Sequence, residues 1–410
     1  MTDGEPRTSG SPSIPVVFVA LFIDSVGSGL WLPFSLIFFT RAQELPMVAC
    51  GAALSTASLL ALVVGQLGGG LVDRYGPGRL VLLSNIVRVG TFALYPLVQT
   101  IPELGVLAFV TASASRLYWT ASTPFVSTLV RGRAVDQFLA TNNMLRIGGV
   151  GLGAAAAGFF ADSVAGLHAI AWANAASFGV AALLLVIGVR RFGRPAAPAP
   201  AETDEPAAGP RTSVWRDTAY LQLCLCLAVF ILVQSSFVVV LPLVIVDFWH
   251  GPEWLAGGSI VVGNVVLFLA QRPAVMLAAR SSRSRMLLRY SIPCYLAALL
   301  LLTAADLFDG VPLIVVVLSG VIVGAIGEGI SNPLMLAAAN EVAPEGMKGR
   351  YSAVYQTTFG LADTMGPLLF TMLLGLGSRV LWLSLAALMV VLVPLLASVR
   401  HRLPPSVLSS

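Results

Sequence analysis

Twelve long apolar segments run through this sequence and restrict its fold more than any other feature. A helix needs about 20 apolar residues to cross the hydrocarbon core of a bilayer. Because no water reaches that core to bond backbone N–H and C=O groups, apolar segments of this length are expected to be helical. The segments are 14–40, 47–71, 80–99, 104–130, 141–163, 168–190, 217–246, 254–279, 287–305, 312–338, 351–376 and 379–400.

The low content of charged residues excludes a soluble domain. Asp, Glu, Lys and Arg make up 11% of the 410 residues, and hydrophobic residues make up 57%. Soluble domains carry about 25% charged residues, which they need to build a surface that faces water. We therefore predict an all-α membrane protein with twelve transmembrane helices in two six-helix bundles.

The basic residues indicate how the helices are oriented. If the N-terminus lies inside, most Arg and Lys residues fall in cytoplasmic loops and the outer loops are mainly acidic, which is the usual bias of membrane proteins. We expect a multi-pass protein of the bacterial cytoplasmic membrane with both termini in the cytoplasm. The inner basic residues are Arg74, Arg79, Arg131, Arg133, Arg190, Arg191, Arg194, Arg280, Arg283, Arg285, Arg289, Lys348, Arg350, Arg400 and Arg402.

A segment rich in Pro and Ala divides the chain into two halves. Residues 191–216 lack the apolar content of a packed core and resemble a semi-extended linker. We predict an N-terminal bundle at 1–190 and a C-terminal bundle at 217–410. Two proline positions repeat 209 residues apart, Pro33 with Pro242 and Pro124 with Pro333. Such internal repeats place a substrate site between the halves of a transporter.

The loop after the second segment carries a recognisable motif. It reads Gly70-Leu71-Val72-Asp73-Arg74-Tyr75-Gly76-Pro77-Gly78-Arg79, which resembles the signature of the major facilitator superfamily. Gly70 would let helices approach closely, and Gly76 would permit a sharp turn. The resemblance implies that Asp73 docks at a helix N-terminus of the other half, so that Gly70, Asp73, Arg74, Gly76 and Arg79 form a conformational latch.

Other residues resemble those of bacterial drug and siderophore exporters within that superfamily. They include the sequence 29–33, Arg88 in the third segment, Arg116 in the fourth, and the spacing of Gly149 and Gly153 in the fifth. The resemblance implies a secondary-active transporter, driven by protons, that exports small amphipathic compounds.

Seven ionisable residues lie well inside the apolar segments. A charge at the middle of the bilayer costs about 2.5–3.5 kcal/mol, so seven facing lipid would cost roughly 20 kcal/mol. These residues are expected to face the protein interior, to form pairs, or to line a wet cavity. They are Asp24, Arg88, Arg116, Arg146, Arg272, Glu328 and Asp363.

Four of these residues are the predicted proton-coupling groups. We expect Asp24 to pair with Arg116, because the first and fourth helices both line the cavity in the family that the chain resembles. Loss of the Arg contact would favour protonation of the Asp24 carboxylate. Glu328 has no Arg in its own segment and is predicted to bind a proton or a cationic substrate, with Asp363 as the competing candidate.

Polar and aromatic residues at helical spacing predict the cavity lining. Ser28 and Trp31 follow Asp24 on one helical face, and Trp119 and Thr120 follow Arg116. The alternative is that the polar residues at this spacing form hydrogen bonds between helices and contact no substrate. Asn142 and Arg146 are predicted at the inner mouth, the cytoplasmic opening of the cavity. Arg146 there favours an anionic or zwitterionic substrate. The alternative is that its side chain extends to the membrane surface and contacts no substrate.

Three functions are compatible with a chain of this kind. The leading one is proton-coupled export, and the alternative is a proton-coupled nutrient importer, which the fold and the motif permit equally. A membrane enzyme is disfavoured because the three His residues lie near segment ends and no nucleophile or metal cluster accompanies them. The expected partners are a small-molecule substrate, protons and the lipid bilayer, for a monomer without a cofactor and without nucleic acid.

Overall fold

The described part of the chain is helical throughout. The computed structural model describes residues 13–130, 133–189, 214–278, 283–342 and 347–402, and no strand occurs among them. These segments contain twelve long helices in succession, which confirms the predicted fold class. They are α1 (Ile14–Trp31), α2 (Met47–Tyr75), α3 (Pro77–Leu94), α4 (Ile101–Leu129), α5 (Arg133–Gly158), α6 (Val164–Gly188), α7 (Thr218–Val239), α8 (Glu253–Ala278), α9 (Ile292–Ala304), α10 (Gly310–Val342), α11 (Lys348–Leu374) and α12 (Ser378–Arg402).

Nine helices of the described segments are long and apolar enough to cross a membrane. The other three are α4, α5 and α11. These three carry more polar residues along their length, including the predicted site residues Arg116, Asn142, Arg146 and Asp363. A helix that exposes polar groups to a wet interior does not need a fully apolar surface, so their composition fits a role in lining a polar path.

The repeated prolines Pro33 and Pro242 mark equivalent breaks in α1 and α7. Beyond α1 the chain continues through a 3-10 turn at Leu32–Phe34 and ends in a π-helical turn at Phe38–Ala42. Beyond α7 it passes through Leu241–Leu243 and ends in a π-helical turn at Val244–Phe248. Proline removes one backbone donor and clashes with the preceding turn, which explains why both helices change geometry at this point.

The contacts between helices group the chain into two compact units. The described residues of the first unit lie within 13–32, 41–45 and 56–189, and those of the second lie within 33–40, 46–55 and 214–402. The predicted domains place 33–40 and 46–55 in the N-terminal bundle, whereas the contacts group them with the second unit. The predicted linker at 191–216 lies almost entirely outside the described residues, so it stays a prediction.

In the first unit, α1 packs closely against α5 and α6, and α3 packs against α4 and α6. Glycines allow the closest of these approaches. A Cβ at Gly149 would lie 2.8 Å from the Cβ of Ser25, and one at Gly153 would lie 2.7 Å from the backbone nitrogen of Leu30 and overlap the Val26 carbonyl oxygen. Within lipid, no hydrophobic driving force brings helices together. Small residues at helix interfaces stabilise the association because they let the backbones pack closely.

In the second unit, α10 packs against α8 and α9, α7 packs against α11, and α12 packs against α9. Hydrogen bonds fix both ends. At one end, the Tyr220 hydroxyl donates to the Tyr351 carbonyl oxygen at 2.7 Å and the Tyr351 hydroxyl donates to Asp217 at 2.9 Å. At the other end, Asp306 accepts hydrogen bonds from the Ser378 hydroxyl at 2.7 Å and the Arg379 side chain at 3.0 Å.

We expect the substitution Gly153→Ala to destabilise the first unit by about 1–3 kcal/mol, because the added methyl group would overlap the backbone of α1. Gly148→Ala is the matched control, since no heavy atom of the described residues lies within 4 Å of a Cβ at that position of the same helix. Thermal unfolding of the purified proteins in detergent measures both effects. Equal unfolding temperatures for the two variants would contradict the close approach of α1 and α5.

Candidate functional site

A buried ion pair joins α1 to α3 in the first unit. Asp24 Oδ1 lies 3.2 Å from Arg88 Nη2, and the two side chains are 12% and 7% exposed. The predicted partner of Asp24 was Arg116, and this part of the prediction is wrong. Arg88 lies opposite Asp24 because α1 and α3 both pack against α6. Arg88 was identified as an intramembrane charge, but helical spacing on one segment gives no information about which neighbour it faces.

Aromatic rings enclose the guanidinium group of Arg88 on two sides. The Tyr118 ring centroid lies 4.5 Å from its Cζ atom, and the Phe178 centroid lies 4.1 Å away. Arg88 also donates a hydrogen bond to the Asn85 side chain. Cation–π contacts strengthen when water is excluded, so this environment stabilises the charged Arg88 side chain without a second carboxylate.

Several polar atoms around the pair are buried and lack a hydrogen-bond partner among the described residues. Arg88 Nε makes no hydrogen bond there, and Asp24 Oδ1 contacts Arg88 without a hydrogen bond of good geometry. The Ser84 hydroxyl and the Asn174 side-chain amide are also unsatisfied. Buried polar groups are nearly always bonded in a settled core. The described side chains therefore satisfy the polar atoms of this pair only in part.

Arg116 occupies a different environment, on α4 opposite α2. Its side-chain carbons lie 3.4–3.8 Å from the position that a Cβ would take at Gly65. Thr120, one turn further on, donates its hydroxyl to the Arg116 carbonyl oxygen at 2.9 Å. Arg116 and Thr120 thus share a face of α4, as their spacing predicts, and both are partly exposed.

Two of the predicted cavity aromatics differ sharply in exposure. Trp31 is only 8% exposed and stacks on Tyr95 at a centroid distance of 5.1 Å, so its ring packs between helices and does not face open space. Trp119 is 57% exposed. Ser28 is partly buried, and its hydroxyl donates to the Asp24 carbonyl oxygen at 3.0 Å. Trp31 is therefore corrected from a cavity residue to a packing residue in this structure.

The predicted inner-mouth residues lie on α5. Arg146 is exposed and donates a hydrogen bond to the Asn143 side chain at 3.1 Å. Asn142 is partly buried on the adjacent position. Exposure of Arg146 is compatible with capture of an anionic group and equally with extension toward the membrane surface.

In the second unit, Glu328 joins a network of neutral polar side chains. Asn332 Nδ2 donates to Glu328 Oε1 at 3.3 Å, and Gln234 Nε2 donates to Asn332 Oδ1 at 2.8 Å. Gln234 also donates to the Tyr295 hydroxyl at 3.0 Å. The sequence analysis missed Gln234 and Tyr295 as members of this site, because single polar residues on α7 and α9 carry no periodic signal. The competing candidate Asp363 lies exposed on α11.

The loop between α2 and α3 adopts the sharp turn that its motif predicts. Gly76 has φ of 86°, a conformation that residues with a Cβ rarely adopt. Asp73, Arg74 and Arg79 are exposed, and the Arg74 guanidinium lies over the Tyr75 ring at 5.3 Å. No heavy atom of the described segments lies within 4 Å of a Cβ at Gly70, so the close helix approach predicted there stays a prediction.

Twelve helices in the described segments, most of them long and apolar, together with a buried ion pair define a multi-pass membrane protein. The family model of the Major Facilitator Superfamily matches residues 17–367, and the chain belongs to this family. No curated protein gives a significant match.

Solved structures with the same fold include several transporters. A mutant of the nucleoside transporter NupG has a TM-score of 0.79 at 11% identity, covering 94% of this chain and 99% of that chain. A D-xylose–proton symporter has a TM-score of 0.72 at 14% identity, covering 95% and 97%. A bacterial homologue of the iron transporter ferroportin in the inward-facing state has a TM-score of 0.71 at 16% identity, covering 94% and 98%. At these identities the likeness establishes the fold alone.

A double-mutant cycle distinguishes Arg88 from Arg116 as the partner of Asp24. We expect Arg88→Gln to destabilise the parent more than it destabilises Asp24→Asn, with a coupling free energy of about 0.5–3 kcal/mol. The matched substitution Arg116→Gln should have the same effect in both backgrounds. Unfolding of the purified protein in detergent measures the four free energies. Coupling of Asp24 to Arg116 and not to Arg88 would contradict the pairing.

Proposed function

We propose that this protein exports small amphipathic compounds in exchange for protons. By alternating access, its substrate site would open first to one side of the membrane and then to the other. The observation that carries this proposal is the buried ion pair of Asp24 and Arg88. The family establishes transport. The ion, the direction and the substrate class are the parts that we propose.

The pair is suited to coupling because the charge of Asp24 depends on one neighbour. With Arg88 at 3.2 Å, the ionised carboxylate is stabilised within an apolar surrounding. If a conformational change moves Arg88 away, an uncompensated buried carboxylate costs several kcal/mol, and binding a proton removes that cost. Proton loading and the conformational change would then be linked in both directions.

The other predicted site residues take supporting roles in this proposal. On α4, Trp119 offers an exposed aromatic ring and Thr120 a partly exposed hydroxyl for a substrate, and Asn142 and Arg146 on α5 provide a first contact at the predicted cytoplasmic mouth. The turn at Gly76 presents Asp73, Arg74 and Arg79 as the proposed latch. We further propose a monomer in the bacterial cytoplasmic membrane with both termini in the cytoplasm.

A proton-coupled importer is the second candidate. It is favoured by the similarity in fold to a D-xylose–proton symporter. The two functions use the same buried pair and differ in the direction in which protons move relative to substrate. A measurement of that direction separates them.

We expect an amphipathic substrate gradient to drive protons in the opposite direction across the membrane of proteoliposomes that contain the purified protein. A pH-sensitive dye in the lumen reports the movement, and candidate compounds are lipophilic drugs, siderophores, nucleosides and sugars. Proton movement in the same direction as the substrate would establish the importer. Uptake without proton movement would refute proton coupling.

The Asp24→Asn variant tests the role of the pair. We expect it to lose transport driven by a pH gradient at least about tenfold, since Asn cannot carry the proton, while substrate exchange without a pH gradient continues. Asp309→Asn is the matched control, because Asp309 is an exposed carboxylate beside α10. Unchanged gradient-driven transport in Asp24→Asn would remove Asp24 from the coupling mechanism.

A further inference from the structure

A small cavity lies within the second unit, between α7, α8, α9 and α10. Its volume is about 50 Å³, and a water molecule takes about 30 Å³ in the liquid. Glu328, Gln234 and Tyr295 form its polar side, and Asn264 and Ser259 of α8 complete it. A space of this size admits a small polar or charged group.

The carboxylate of Glu328 has no basic partner in the described part of the chain. Its one side-chain hydrogen bond comes from the neutral amide of Asn332 at 3.3 Å. Asp24 in the first unit, by contrast, has Arg88 at 3.2 Å. Glu328 is partly buried, and a cation beside its carboxylate would stabilise the charged form, since one weak hydrogen bond does not repay desolvation.

The directions of the hydrogen bonds leave several acceptor atoms around the cavity, next to the Asn264 amide and the Tyr295 hydroxyl, which can both donate and accept. Gln234 uses its amide group to donate to Asn332 and Tyr295, and Asn332 uses its own to donate to Glu328. The Ser259 hydroxyl donates to the Ala256 carbonyl oxygen at 2.8 Å. The Gln234 carbonyl oxygen, the second Glu328 oxygen and the Ser259 lone pairs therefore remain available to accept hydrogen bonds. These acceptors suit a ligand that donates N–H bonds, and the Glu328 carboxylate disfavours an anion.

The remaining walls are apolar and indicate an organic ligand. Phe237, Ile260, Leu267 and Val321 line this side. A Cβ at Gly324 would lie 2.9 Å from Phe237 Cζ, so the ring packs directly on α10 beside the cavity. A metal ion such as Na⁺ would favour oxygen ligands on all sides. An ammonium group on a short hydrocarbon stem fits both the polar and the apolar side of the cavity. The carboxylate would pair with its charge, and the aromatic ring would contact its stem.

We propose that this cavity binds the ammonium group of a small primary amine, with Glu328 as its ion-pair partner. The proposal rests on the proposed transport of small amphipathic compounds and narrows that class to amines with a protonated head group. The first unit, with Asp24 and Arg88, holds none of the residues involved. The site in the second unit can therefore be tested apart from the proposed proton coupling.

The test compares n-butylammonium with n-butanol, its neutral analogue of similar size, on the purified full-length protein in detergent. We expect labelled n-butylammonium to bind and a large excess of n-butanol to leave that binding unchanged. Glu328→Gln should weaken binding at least tenfold while still accepting the hydrogen bond from Asn332. Glu253→Gln, at the start of α8, is the control for removal of a carboxylate.

Besides a failure of the amine to bind, three results would overturn the proposal. They are equal competition by n-butanol, unchanged affinity in Glu328→Gln, and displacement of the amine by Na⁺ at matched concentration, which would make this a metal-ion site. If Glu328→Gln does not fold, the comparison of ammonium, alcohol and Na⁺ on the parent protein decides. Amine binding without proton flux would refute the proposed proton coupling alone, and proton flux without amine binding would refute this inference alone.

Discussion

A charge inside a bilayer must find its partner within the protein, and the contact between Asp24 and Arg88 follows from this constraint. On the surface of a soluble protein, water would solvate both groups. An ion pair of this kind would therefore contribute little to the free energy of folding there. Within the first unit the two side chains are almost inaccessible, and the rings of Tyr118 and Phe178 close over Arg88. The charge of Asp24 is thus balanced by a side chain that the packing of α1 and α3 against α6 brings to it.

The glycines of the first unit serve the same constraint. Close contact of α1 with α5 depends on Gly149 and Gly153, where a side chain would meet the backbone of the opposing helix. Lipid tails are as apolar as leucine, so helix association must come from close packing and polar contacts. Gly149 and Gly153, whose spacing resembles an exporter motif, therefore have a packing role that is independent of any substrate.

The two units treat their buried carboxylates differently. Asp24 has a permanent cation among its neighbours, whereas Glu328 is surrounded by Asn332, Gln234 and Tyr295, which are neutral. The first arrangement suits a group whose charge changes with conformation, and the second suits a group that acquires its counterion from a ligand. The chain breaks its helices in the same way at Pro33 and Pro242, whereas the surroundings of the two carboxylates differ.

The sequence by itself determined the membrane class, the twelve helices, the turn at Gly76 and the list of intramembrane charges, because hydropathy, glycine and the cost of a buried charge act locally. It did not determine which charges meet. Arg88 in place of Arg116, the burial of Trp31 against Tyr95, and the meeting of Gln234 with Asn332 each depend on how helices far apart in the chain rotate against one another. Helical spacing defines which residues share a face, and only the packing of neighbouring helices decides what that face contacts.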